Sequence, residues 1–517
     1  LKFVPRNSLN TATDKTFEAS QANKRVVAGL EPAPIWDRFA ELAAIPRKSG
    51  EEAAVRQYIQ NIAVAHGLAY QSDAVGNLVV YVPGKGLGAS KEPVILQGHM
   101  DMVCKSEPGS SHNFLTDPIR LELAIVDGTQ VLKARGTTLG ADNGMGVCTA
   151  LGLLDDPSIT NHPPLELLFT VDEEVGLNGA RGLDPKLLSG RRLINMDSED
   201  GPGEIYISCA GGRDLEAVWT LKREVPTSEM QPLKIKVSGF PGGHSGMEIQ
   251  NPCGNAIFCL IDLVTSCTVP LSISAFNAGA ARNAIPAEAE VILWLTPADS
   301  EKVKNKVADK ETCAKFARQS GYEGEVQFEV QQVDRGTAAP PFNPTETRRS
   351  LDAIRQVPHG VFEWSNAIPG LVQTSNNVAV VSTREDGLAL QCMSRSSRNG
   401  AVEDFQDNAA LDLRESGAEV VFSSGYSGWE ADSNNPLLHI ASNALQRVTG
   451  TTPEVKAVHA GLECGVLCGR LAGLKAISFG PIIRKAHTPE EYVLPESLPP
   501  FYAALKELLH DLCMQPQ

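Results

Sequence analysis

Residues 94–103 read VILQGHMDMV. An apolar run ends in a histidine and an aspartate two positions apart. In an extended chain, side chains at i and i+2 share a face, so His99 and Asp101 can meet while Met100 turns the other way. A carboxylate on one ring nitrogen orients an imidazole and raises its basicity for binding a metal through the other. The pair also reads as an ordinary hydrogen bond at the end of a buried strand. Other ligands have to decide between the two.

With 517 residues, the chain is too long for one hydrophobic core, so at least two domains are expected. Hydrophobic residues make up 42%, yet no apolar run approaches the roughly 20 residues of a membrane span. The formal charge of −16, with no Lys/Arg cluster beyond pairs such as Arg348–Arg349, argues against nucleic-acid and membrane partners. Eleven cysteines, scattered through apparent cores such as Cys148, Cys259 and Cys464, have neither disulfide-framework nor zinc-finger spacing and fit a reducing, cytoplasmic setting. Residues 1–28 are rich in Ser, Thr, Asn, Lys and Arg and read as an extension without fixed structure, or as the remnant of an organellar transit peptide.

Downstream, helical spacing over residues 35–66 gives way to the strand-like runs NLVVYV (77–82) and VILQ (94–97), joined by PGKGLGAS. That loop lacks the Gly-Lys-Ser/Thr ending of a phosphate cradle and reads as a hairpin connection. A helix over 144–154 and strands over 166–171 and 193–196 continue an alternation that indicates an α/β catalytic domain with a mostly parallel central sheet flanked by helices. From about residue 210 to 427 the pattern changes to amphipathic strands (233–237, 289–295) and helices (255–267, 298–319), as in an inserted α+β lid domain. The Pro-rich piece TAAPPFNPTE (337–346) reads as a linker dividing this insert into halves. The helix-strand rhythm returns after Trp429, with a last helix near 497–513 that Ser497 would cap and that carries Phe501, Leu505, Leu508 and Leu512 on one face. The expected division is therefore 1–28 extension, 29–209 and 428–517 catalytic domain, and 210–427 insert.

Four further stretches put an acid or a histidine at the C-terminal end of an apolar run, where a parallel sheet gathers its ligands. These are TTLGADNGMG with Asp142, LLFTVDEEVG with Glu173 and Glu174, LINMDSED with Asp197, and SFGPIIRKAHTPEE with His487. Singly, Asp142 reads as a helix cap, Asp197 and Glu199 as turn acids, and His487 as a loop histidine. Adjacent carboxylates after a buried strand repel unless a cation or a proton intervenes. Two imidazoles with three carboxylates suit Zn or Mn better than Mg or Ca, and are too many for one open tetrahedral site. A carboxylate bridging two ions would use them all.

GHMDMV, GADNG, VDEEVG, NMDSED and AHTPEE, in this order, resemble the ligand motifs of the di-zinc exopeptidase family, which includes carboxypeptidases, aminoacylases and dipeptidases. ARGTTLGADNG, SCAGGRD, SGFPGGHSG, RNAIP and HAGLECG extend the resemblance toward its dipeptidases, and it runs from about Pro32 to Leu512. It implies two Zn2+ per chain, replaceable by Mn2+ or Co2+. Asp142 would bridge them, His99 and Asp197 would complete one, and Glu174 and His487 the other. Asp101 would orient His99, and Glu173 would act as general base on a water shared by the ions. The implied activity is hydrolysis of unblocked dipeptides, those ending in histidine included. The alternatives are an amide hydrolase of the same fold acting on N-acylated amino acids or tripeptides, and a non-catalytic metal-binding homologue.

In the insert, the resemblance makes His244 of GGHSG the donor that steadies the carbonyl oxygen, against an ordinary turn histidine. Asn283, Arg395 and Gly461 match positions that hold the ends of a dipeptide. Arg395 suits the free carboxylate because a guanidinium can donate two parallel hydrogen bonds, although MSRSSRNG offers Arg398 as a competitor. The departures fall outside the ligands: Lys48 and Glu51 in IPRKSGEE, Met100, and LAIVDGTQ (123–130), which is longer than the usual hairpin. The expected partner is a small peptide, with a homodimer left open.

Overall fold

The computed structural model describes residues 7–515. Contacts divide the chain into one unit of residues 1–208, 431–457 and 462–517 and a second of residues 209–430 and 458–461. The return of four residues, 458–461, to the second unit has no counterpart in the sequence reading.

The first unit is built on an eight-stranded sheet. Its order is Ala69–Ser72, Leu78–Val82, Leu165–Thr170, Val94–His99, Arg192–Asn195, Lys475–Ser478, Glu204–Cys209 and Glu454–Val458. The four strands from Leu165–Thr170 to Lys475–Ser478 run parallel, and Val94–His99 and Leu165–Thr170 are buried along their whole length. Parallel strands covered on both faces read as unbroken apolar runs, and VILQ and LELLFT are such runs. Leu78–Val82 pairs with Leu165–Thr170 and not with Val94–His99, so PGKGLGAS is no hairpin turn but a crossover containing a short 3-10 turn at Gly86–Gly88.

Helices Ala33–Ala43, Ala141–Asp155, Pro436–Thr449 and Leu498–Met514 belong to this unit, the last burying Phe501, Leu505, Leu508 and Leu512. Ser497 does not cap that helix. Its hydroxyl donates to Leu494 O at 2.7 Å and accepts from Ile482 N–H at 2.9 Å.

The segment expected to lack structure forms a helix, Asn7–Val27. Ala19, Asn23 and Val27, four residues apart, put one face inside, and the Asn23 amide donates to Ile119 O and accepts from Leu121 N–H. Residues 1–6 lie outside the described part. The hairpin Leu121–Val126/Thr129–Ala134 turns at Asp127–Gly128, both with positive φ, the two-residue turn whose twist matches paired strands. It extends through Tyr492–Val493 to Ile483–Arg484 as a small four-stranded sheet, and the loop between those last two strands carries His487.

The second unit is an antiparallel nine-stranded sheet with helices, among them Ala256–Thr265, Pro344–Gln356 and Ala401–Glu415. Asn255 caps the first of these, accepting from Ile257 and Phe258 N–H. The Pro-rich piece does not split the unit. Strands before and after it, Gln327–Gln332 and Val372–Arg384, share the sheet, Phe342 is fully buried, and Asn343 caps helix Pro344–Gln356. The eleven cysteines form no disulfide. Among the described residues, no helix is long and apolar enough to cross a membrane.

Candidate functional site

In the first unit, three neighbouring parallel strands end in polar words: Val94–His99 before Asp101, Leu165–Thr170 before Glu173–Glu174, and Arg192–Asn195 before Asp197. Asp142 opens helix Ala141–Asp155 with a non-helical backbone (φ −76°, ψ 113°) and a cis peptide to Asn143. It makes no capping bond there. One of its oxygens lies 3.0 Å from His99 Nε2 and the other 2.9 Å from His487 Nε2. His99 Nε2 is also 3.4 Å from Asp197 Oδ1, and His487 Nε2 is 3.0 Å from Glu174 Oε2. Ligand atoms of His99, Asp142 and Glu174 all fall within 4.8 Å of one another.

The surroundings hold these groups by contacts of long sequence range. The fully buried Asp101 carboxylate lies 3.3 Å from His99 Nδ1 and accepts from Ser49 Oγ at 2.8 Å and from Glu173 and Glu174 N–H at 3.1 and 3.2 Å. One carboxylate thus fixes the imidazole and the adjacent glutamate pair together. Glu491 accepts from the N–H groups of Leu139, Gly140 and Ala141 at 2.7 to 3.0 Å and from Asp142 N–H at 3.3 Å, tying down the turn that presents Asp142. The buried Arg47 guanidinium donates to Met100 O, Asp101 O and Gly140 O.

One register row beneath His99, Gln97, Asn195 and Ser478 form a chain across the sheet. Ser478 Oγ donates to Asn195 Oδ1, Asn195 Nδ2 to Gln97 Oε1, and Gln97 Nε2 to the fully buried Glu463, which also accepts from Thr170 Oγ1 at 2.7 Å.

The charge balance is unfavourable without a cation. Burial pushes the Glu173 carboxyl well up, and Asp197, Glu174 and Glu463 add to it. Burial with neighbouring acids raises Asp197 to about 6 and Glu199 to about 9. Burial opposes charge on Asp142, but His487 and His99 hold its carboxyl far below the usual range. Hydrogen bonds from Asp142 and Glu174 raise His487 to about 11. Glu174 Oε1 and Asp197 Oδ1 are buried without a hydrogen-bond donor. Buried oxygens lacking donors, among carboxylates that repel one another and beside two imidazoles, fit bound divalent metal of the zinc or manganese type.

In the second unit, His244 Nδ1 accepts from Gly246 and Met247 N–H, both at 3.2 Å, which leaves the proton on Nε2. Burial and the Arg395 cation lower its pKa, so the ring is a neutral donor. Asn283 is exposed, and its carbonyl takes Ser245 N–H at 2.9 Å. Arg395 is 3% exposed and contacts Ser245 Oγ, Tyr426 Oη and Met393 Sδ, with no acidic partner among the described residues. Arg398, its competitor in the sequence, is exposed and pairs with Glu363 at 3.2 Å. Gly461 lies against the Tyr426 ring. His459, in the same returning segment, is buried with Nε2 2.7 Å from Ser375 Oγ. Burial, with Arg395 and His244 nearby, brings its pKa down to about 3.

The sequence reading missed Glu491, Glu463, Arg47, Tyr426 and His459. The second acid of TPEE and a glutamate inside the small-residue word GLECG were the available signals for the first two.

Residues 95–511 match the model of peptidase family M20/M25/M40. A cytosol non-specific dipeptidase of Escherichia coli (strain K12) is 35% identical over 499 residues, spanning 93% of this chain and 98% of its own. The structure is similar to that of an aminoacylhistidine dipeptidase from Vibrio alginolyticus, with TM-score 0.81 and 32% identity over 94% of this chain and 98% of that one. A tripeptidase from Staphylococcus aureus, at 15% identity and TM-score 0.53 over 94% of this chain and all of that one, shares the fold.

Proposed function

The chain belongs to peptidase family M20/M25/M40 and is a metallopeptidase, and we propose that it is a cytosolic di-zinc dipeptidase cleaving unblocked dipeptides, Xaa-His included. What supports this reading is the meeting of His99, Asp142 and Glu174 ligand atoms within 4.8 Å, with two buried carboxylate oxygens left without donors. The names of the relatives from Escherichia coli and Vibrio alginolyticus point to dipeptides, to a cytosolic place and to histidine as one accepted residue.

In this reading two ions would be held by Asp142 together with His99 and Asp197 for one and Glu174 and His487 for the other. The ions would supply Lewis-acid polarisation of the scissile carbonyl and an acidified water. Glu173, beside the ligands but outside the set, takes a proton from the attacking water on a carboxylate oxygen and gives it to the leaving amine. A C–O bond forms, the C–N bond breaks, and two amino acids leave. Asp101 holds His99 and the Glu173–Glu174 backbone in place. The neutral His244 donates Nε2–H to the carbonyl oxygen as charge grows on it. Asn283 and Gly461 help to hold the dipeptide, and Arg395 takes its free carboxylate.

The test is hydrolysis of β-Ala-His, Gly-His, Ala-Leu and an N-acetylated amino acid after chelation and add-back of Zn2+ or Mn2+, with Glu173→Ala as control. Metal-dependent cleavage of the free dipeptides, lost in the variant, is expected. Cleavage of the acetylated compound alone would replace the reading with an acylase. Metal uptake without turnover would replace it with a binding protein.

A further inference from the structure

Of the glycines in the words SCAGGRD and HAGLECG, only Gly461 has a role so far, at one end of the dipeptide. Both words lead to one side chain. Tyr426 is half-buried, its N–H donating to Gly212 O at 2.8 Å and its carbonyl accepting Gly212 N–H at 3.1 Å. A Cβ on Gly212 would stand 2.8 Å from the Tyr426 hydroxyl, and one on Gly461 3.0 Å from the ring. Neither glycine has a positive φ, so the requirement is for space and not for backbone freedom. The two glycines form a seat for a phenol ring.

The seated hydroxyl meets the buried cation of the same unit. Arg395 Nη1 donates to Tyr426 Oη at 3.2 Å, and its other contacts, Ser245 Oγ and Met393 Sδ, are also uncharged. A guanidinium this buried without an anion is electrostatically incomplete. Because Oη accepts from Arg395, the phenolic proton is free to be donated elsewhere. Guanidinium and phenol together present donors to one anionic group.

We propose that Tyr426 is a specificity-determining residue that binds the C-terminal carboxylate of the substrate jointly with Arg395, and that Gly212 and Gly461 serve it by leaving room for its ring. The proposal rests on the dipeptidase reading for the identity of that carboxylate. A carboxylate held by an arginine and a phenol loses one charge-assisted hydrogen bond when the phenol becomes a phenyl ring, a loss of about tenfold in affinity.

The experiment compares wild type, Tyr426→Phe and Gly461→Ala on Gly-His and on its C-terminal amide. It adds calorimetric binding of the Gly-His analogue with a reduced, uncleavable CH2–NH link, and of the amide of that analogue. Tyr426→Phe should raise KM for Gly-His and Kd for the free-acid analogue about tenfold. It should change kcat less than twofold and leave both amides unaffected. Gly461→Ala should move the same parameters in the same direction, with metal content and melting temperature of both variants as in wild type. An unchanged Kd for the free-acid analogue in Tyr426→Phe, or equal losses for acid and amide, overturns the proposal, as does failure of the wild type to bind the analogue. If the wild type binds it in a Tyr426-dependent way but cleaves no dipeptide, the dipeptidase reading falls and the carboxylate site stands.

Discussion

The parallel-sheet unit gathers Asp101, Asp142, Glu173, Glu174 and Asp197 around two imidazoles, whereas the antiparallel unit buries Arg395 with only uncharged groups in contact. One cluster has more negative charge than its own donors can satisfy, and buried oxygens of Glu174 and Asp197 are left over. The other has a cation and two histidines kept neutral by burial and by that cation. In the proposed reading a divalent cation meets the first imbalance and the substrate carboxylate meets the second. A protein that buries opposite unpaired charges in two places is arranged to bind, since neither charge lowers the energy of the fold by itself.

Asp142→Asn attacks the first imbalance at the residue that touches both histidines. Metal content measured by mass spectrometry should fall by at least one ion per chain, and hydrolysis by about a thousandfold or more. Glu173→Gln should keep the metals and lower kcat by about a hundredfold to ten-thousandfold, because only the proton carrier is lost. A metal loss as large as in Asp142→Asn would mean that Glu173 is a ligand and not a base.

Arg395→Met tests the second imbalance. KM for dipeptides should rise about a hundredfold. Chemical denaturation should show no loss of stability, since the change removes a buried charge without a counter-ion. A destabilised fold with unchanged KM would make Arg395 structural. Asp101→Asn should be milder, weakening metal affinity about ten- to a hundredfold in a competition titration against a chelator.

A last test, by pH, concerns the antiparallel unit alone. The pKa of His459 falls from its ordinary 6.5 to about 3 on folding, so the unfolded chain binds the extra proton between these values. Its contribution to stability is complete above pH 6.5 and is lost as pH falls toward 3, with a slope of up to about 1.4 kcal/mol per pH unit. Unfolding curves of His459→Asn should lack that component, and an identical pH profile would sink the assignment.

How much of this was legible depends on the range of each interaction. His99 and Asp101 were readable together because a strand puts i and i+2 on one face. The acids at strand ends were readable because long apolar runs announce a buried parallel sheet. Glu491 and Glu463 were not, since their partners lie about 350 residues away in the chain, at Leu139–Asp142 and at Gln97. The polar first segment misled for a related reason. Its composition resembles a solvated tail, yet Ala19, Asn23 and Val27 make a narrow inward stripe that only the presence of Ile119 and Leu121 gives meaning. The Pro-rich piece misled because Pro is a poor element interior but a good first residue, and Pro344 starts a helix that Asn343 caps.

By itself the sequence determined the inventory of the chemistry, two imidazoles and a set of carboxylates at the ends of buried strands, because side-chain type and local periodicity are properties of neighbouring residues. Tertiary structure alone decided which of two arginines in one short word is a buried, unpaired cation and which is an exposed ion pair with Glu363. It also decided that the glycines of two distant words make room for a single tyrosine. Burial and counter-charge are set by whatever the rest of the chain brings alongside, and no local pattern carries that information.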